Sequence, residues 1–184
     1  MFNDARSKKV ILISHCLLNQ NSISDGTADL PSQFDEVVQL LMENKIGIYQ
    51  LPCPEFFCLG LARRDEEGAK RELLLENSRI RDLLMEEENR NSLRIRAKEI
   101  VGQIEEYLKH GFQVLGIIGI NRSPSCGIET TSQNGKEVPG RGVFMEILEE
   151  ELKRHHILLK KIGVKTHEKE ESLKEVNKLL QSNA

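Results

Sequence analysis

Four cysteines have the widest chemical reach in this chain: Cys16, Cys53, Cys58 and Cys126. In a reducing compartment, scattered cysteines read as metal ligands, catalytic groups or small buried residues rather than disulfide partners. No Cys-x-x-Cys pair is present, and Cys53 and Cys58 stand five apart. Spacing alone therefore announces no zinc site. What the thiols can do depends on where the fold puts them.

The elements beside them are legible. Lys9 to Ser14, Ile46 to Leu51 and Phe112 to Ile120 are short, β-branched or apolar runs that suit buried parallel strands. Cys16 follows the first run by two residues, Cys53 the second by two, and Cys126 the third by six. Open α/β sheets hold ligands beyond the carboxyl ends of their strands. If the three strands are parallel, the three cysteines share one sheet edge.

Helices fill the intervals. Pro31-Ser32 opens one with Phe34, Val37, Val38, Leu40 and Leu41 as its apolar stripe, ending at Asn44-Lys45. Another is expected from about Leu93 to His110, with Gly111 as its stop. Residues 62 to 92 are dense in charge, with Leu73, Leu74, Leu75, Ile80, Leu83 and Leu84 recurring at helical spacing, and they read as an excursion able to cover the crevice. Residues 128 to 142 read as a long loop or short hairpin. Val143 to His155 reads as a helix, Ile157 to Val164 as a last strand, and Glu168 to Gln181 as an amphipathic helix. The expected fold is α/β: a three-layer α/β/α, Rossmann-like domain with a mainly parallel sheet. Residues 1–164 form that domain in this reading, and residues 165–184 add a helix packed on it or at a dimer interface.

Three thiolates on one edge leave a metal site with an open position, the mark of a catalytic rather than a structural centre. Burial for packing alone is the competing reading for any single cysteine. Cys58, after Phe56-Phe57, reads equally as core packing or as a fourth ligand. Glu55, two residues past Cys53, is placed to act as a general base or to cap a helix N-terminus. Ser123 reads as a hydrogen-bond donor to substrate or as an ordinary turn residue. Ser125 is placed to hydrogen-bond a sulfur at such a metal site or the substrate. Arg122 and Arg141 read as anchors for a polar or anionic part of a substrate, or as surface charge. The His155-His156 pair sits at a helix end and reads as structural.

Four motifs occur in order: Ser14-His15-Cys16-Leu17-Leu18, Cys53-Pro54-Glu55, Ser123-Pro124-Ser125-Cys126-Gly127 and Pro139-Gly140-Arg141-Gly142-Val143. Over roughly residues 8 to 164 the chain resembles the thiouracil desulfidase family. That resemblance implies a 4Fe–4S cluster held by Cys16, Cys53 and Cys126. Its fourth iron would be open to substrate sulfur, or bound by Cys58 or exogenous sulfide. It also implies catalytic roles for Glu55 and Ser123, and Asp25 remains from the family's first motif as a substrate-side residue. The chain departs from the family pattern at Asn19, at Ile23-Ser24 and at Cys58-Leu59-Gly60. The function implied is hydrolytic removal of sulfur from a small thiocarbonyl compound. A non-catalytic metal module, with zinc or an iron–sulfur cluster on four thiolates, and a sulfur carrier are the alternatives.

Composition limits the rest. A net charge of −3 gives no global basic field for nucleic acid or an anionic membrane. The longest apolar runs fall far short of the ~20 residues that span a bilayer, and Met1 to Lys9 lacks a signal-peptide core. The chain is expected to be cytoplasmic and to bind no nucleic acid or membrane, with its C-terminal helix able to serve a homodimer.

Overall fold

The computed structural model describes residues 2–181. In chain order the elements are β1 (Lys9–Ile13), α1 (His15–Leu18), α2 (Asp35–Glu43), β2 (Gly47–Gln50), α3 (Pro54–Leu59), α4 (Leu73–Met85), α5 (Glu87–Lys109), β3 (Gln113–Ile120), β4 (Thr130–Gln133), β5 (Lys136–Pro139), α6 (Val143–Arg154), β6 (Lys161–Val164) and α7 (Lys169–Gln181).

Among the described residues, β2, β1, β3 and β6 make one sheet in that order, and every pairing is parallel. The centre is aliphatic because a parallel strand is covered on both faces. Leu12 and Ile117 point toward α3, α4, α5 and α6. Ile11, Ile13, Leu115 and Ile118 point toward α1, α2 and α7. The register of β1 on β3 slips between Val10 and Leu12, a bulge that lets Leu115 and Ile118 share a face. The three-layer α/β/α arrangement holds.

Several boundaries moved. The charge-dense stretch contains a full helix, α4, and α5 begins at Glu87 rather than near Leu93. The Ile128–Gly142 interval contains the antiparallel hairpin of β4 and β5. The last strand pairs only from Lys161, since the ladder with β3 starts there. Helix α7 lies against the sheet with Val176 and Leu179 buried. Residues 182–184 of the expected C-terminal unit lie outside the described residues. No described helix is long and apolar enough to cross a membrane.

Strand β1 sits between β2 and β3, so the chain leaves it in opposite directions along the sheet. Such a reversal opens a crevice at the strands' carboxyl ends. The loops after β1, β2, β3 and β6 all reach it.

Candidate metal centre and active site

Cys16, Cys53 and Cys126 line one cleft, which contains about 740 Å³ of non-atom space, part of it open to solvent. Cys16 lies in α1, the short turn that begins as soon as β1 ends. Cys53 caps α3: its Sγ accepts from Phe56 N at 3.4 Å, with Pro54 next in line. Proline suits that first helical position because its missing N–H has no partner there.

Cys126 is fixed by the loop after β3. Ser123 Oγ accepts from the amides of Ser125 at 3.3 Å and Cys126 at 3.0 Å, an arrangement that serine adopts readily in a turn. The carbonyls of Pro124 and Ser125 accept from Val143 N and Phe144 N at the start of α6. Arg81 of α4 reaches over and donates to the Arg141 carbonyl at 2.9 Å. Gly142 passes against this loop. A β-carbon there would stand 2.3 Å from Ser125 C and 2.6 Å from Cys126 N.

Cys126 is buried, and Cys16 and Cys53 are half-buried in the same cleft wall. Burial pushes Cys126 up to about 12, with the neighbouring Cys53 adding to it. Burial pushes Cys53 up to about 11, with Glu55 adding. Cys16 is driven well above the ordinary range by burial, then by Cys126 and Cys53. A thiol so placed is a poor nucleophile near neutral pH.

Cys58 is elsewhere. Five positions along a helix from Cys53 is well over a third of a turn off its face. Cys58 packs against the α3–α6 core cluster, not the cleft.

A polar chain runs beside the thiols. Ser123 Oγ and Ser125 Oγ are 3.2 Å apart. Ser125 Oγ donates to Glu55 Oε1 at 2.6 Å. Glu55 Oε2 accepts from Arg63 Nε at 3.1 Å. Arg63 is 1% exposed and Glu55 8%. The guanidinium is otherwise held by carbonyls: Nη2 donates to Ser22 at 2.6 Å, and Nη1 to Gly60 and Leu61 at 3.0 Å. Nη2 also lies 4.0 Å from Cys53 Sγ. Glu55 thus joins the loop after β2 to the loop after β3, and one buried cation neutralises it.

Of the residues named from sequence, Cys16, Cys53, Cys126, Glu55, Arg122, Ser123 and Ser125 all line the cleft. Asp25 does not. It is exposed on its turn and stays out of the cleft lining. Arg141 also stays outside, paired with Glu149 at 2.8 Å. Arg63 was missed, because an arginine inside a charge-dense run reads as surface. Asn77 of α4 and Lys165-Thr166-His167 also line the cleft unannounced. The last three follow β6, so the strand-end rule that singled out the cysteines applied to them as well.

Residues 11–158 match the model of the 2-thiouracil desulfurase family. The chain belongs to this family. It is 31% identical over 165 residues to an uncharacterized protein of Methanocaldococcus jannaschii, covering 90% of this chain and 91% of that relative. A solved structure titled a 4Fe-4S-dependent thiouracil desulfidase aligns over 94% of this chain and 98% of its own, at 21% identity and a TM-score of 0.47.

The donor set of this family member can be set against an iron–sulfur cluster directly. Three soft thiols line the wall. Among the described residues no group of three His, Cys, Asp or Glu side chains converges tightly enough for a single metal ion. Ser14 Oγ is buried beside the Cys126 thiol and lowers its pKa through a hydrogen bond. Three soft thiols in one cleft are the donor type that iron–sulfur clusters use. The residues fit the group.

Proposed function

We propose that this desulfurase-family protein hydrolyses a small thiocarbonyl compound to its oxo counterpart, releasing hydrogen sulfide. Cys16, Cys53 and Cys126 would hold a 4Fe–4S cluster. When bound, that cluster supplies a soft, Lewis-acidic iron for the substrate sulfur. One observation carries the reading: three thiols from three strand ends share a cleft with the Ser123–Ser125–Glu55–Arg63 chain. Cys58 packs in the core, which speaks against a module with four thiolates.

The protein's own residues have separate tasks. Ser125 Oγ uses its hydrogen on Glu55, leaving its lone pairs free to accept from Ser123. Ser123 Oγ already accepts two amide hydrogens, so its own hydrogen is free for Ser125 or for the cleft. A proton lost by an attacking water can pass directly to Glu55 at the cleft wall, while Ser123, with both lone pairs taken, acts only as a donor to Ser125 or to the substrate. Arg63 balances the carboxylate charge before the proton arrives. Arg122 has a left-handed backbone, φ 70°, fixed by Thr130 and Ser132. Arg122 lines the cleft and serves as a substrate contact.

Anaerobically purified protein should be brown, with about four irons and four sulfides per chain. It should release sulfide from 2-thiouracil, and Glu55→Gln should abolish release while retaining iron. Colourless protein with stoichiometric zinc, or full activity in Glu55→Gln, would overturn the reading.

A further inference from the structure

Asn77 is a buried amide at the cleft with one of its two hydrogens spent and its oxygen unpaired among the described residues. It lies on α4 one turn after Leu73, and both line the cleft. Residues four apart share a helix face, so α4 presents one apolar group and one amide. Only 7% of Asn77 is exposed.

Its orientation follows from its neighbours. Ser132 Oγ gives its hydrogen to the Arg122 carbonyl at 2.7 Å. That oxygen can then only accept from Asn77, so the facing atom is Nδ2, donating at 3.2 Å. Oδ1 and the second Nδ2 hydrogen have no partner among the described residues. Oδ1 is also absent from the fully enclosed, unpartnered atoms, so it reaches open space. Helix α4 cannot easily withdraw. Ser78 Oγ accepts from Gly135 N at 2.8 Å, and Arg81 ties the helix to the Arg141 carbonyl.

An acceptor and a donor side by side complement the –NH–C(=O)– edge of a cyclic amide. We propose that Asn77 is the residue that reads such an edge of the thiouracil-type substrate, whose face rests on Leu73. The inference rests on the desulfurase reading for the fate of sulfur, and on Asn77 for the edge.

Binding of uracil and 1,3-dimethyluracil to the protein, measured by calorimetry, tests the edge without turnover. Methylation at both nitrogens removes every N–H donor that Oδ1 could accept from. The unaltered protein should prefer uracil by about tenfold or more, the scale of one or two net hydrogen bonds. Asn77→Leu, of similar size without polar atoms, should bring the two ligands to within about threefold. Asn77→Ala serves if the leucine variant does not fold. The preference is a ratio within one preparation, so a partly folded sample leaves it unchanged. An Asn77 that only pins Ser132 predicts an unaltered ratio. Wild-type protein that binds neither ligand or does not distinguish them overturns the assignment, as does a variant that distinguishes them equally well. Sulfide release from 2-thiouracil is followed in parallel. Its absence alongside intact discrimination would remove the desulfurase reading and leave Asn77 in place.

Discussion

Glu55 and Arg63 form an ion pair with side-chain exposures of 10% and 1%. Removing one member of such a pair strands the other in low dielectric, at a cost of about 3–5 kcal/mol. Arg63→Met should lower the unfolding free energy by that order in a denaturant titration. The double variant Glu55→Gln/Arg63→Met should recover part of the loss, because no charge is then left alone. The cysteines should separate in the same manner. Cys126→Ser should lose most of its iron and visible absorption, whereas Cys58→Ser should keep both, since Cys58 packs in the core. At this scale the sequence revealed the thiols, Glu55 and the two serines, because each follows a recognisable buried strand or shares its loop. It could not reveal Arg63. Its burial depends on three carbonyls and a carboxylate that only the folded loops bring together, and its neighbours Arg64, Asp65 and Glu66 disguise it.

The elements that hold the site do so by close approach. Gly142 leaves no room for a β-carbon between α6 and the cysteine loop, and the atoms it would strike are backbone. Gly142→Ala should cost about 3 kcal/mol, at the upper end for overpacking. It should also lower iron content, because Ser125 and Cys126 must move. A milder tie joins α5 to α6. His155 Nδ1 pairs with Glu105 at 2.8 Å, and Glu151 lies beside its other nitrogen. Chiefly through the Glu105 hydrogen bond, these carboxylates raise the ring above its ordinary value of 6.5. A raised folded value means the tie is fully present below about 6.5 and is lost as pH climbs through the folded value. His155→Gln should flatten the fall in melting temperature just above pH 6.5, with a small amplitude because the ring is exposed. The sheet strands and most helices were legible from aliphatic runs and caps. Helix α4 was legible only as a helical recurrence of leucines and Ile80 without firm bounds, because its buried face also includes Glu76 and Asn77 beside Ile80 and Leu84. Polar groups satisfied by partners far away break the apolar periodicity that sequence reading depends on.

Across the whole molecule, the candidate cluster ligands come from both ends of a long connection. Strand β1 pairs with β3 from Lys9 opposite Gln113, so the centre of the sheet is built from distant segments. Loss of the sheet and loss of the metal group should then be one event. In a urea titration of the loaded protein, far-ultraviolet ellipticity and visible absorbance should share a midpoint. An earlier loss of colour would show that the loops open before the sheet does. The three-layer order was foreseeable from alternating strands and helices. The closure of the cleft by residues 165–167 was not, because the last strand was taken as the edge of the catalytic unit.

The strand order also sets a timetable. Cys16 and Cys53 leave the ribosome early, but β1 waits for β3, and Cys126 arrives only after that strand is made. The wall beyond β6 comes last of all. Until then Cys16, Cys53 and Cys58 lack the shelter of the finished fold. If the proposed cluster is bound, it can be seated only on a nearly finished protein, because a chain ending before Cys126 would lack one of the three proposed ligands.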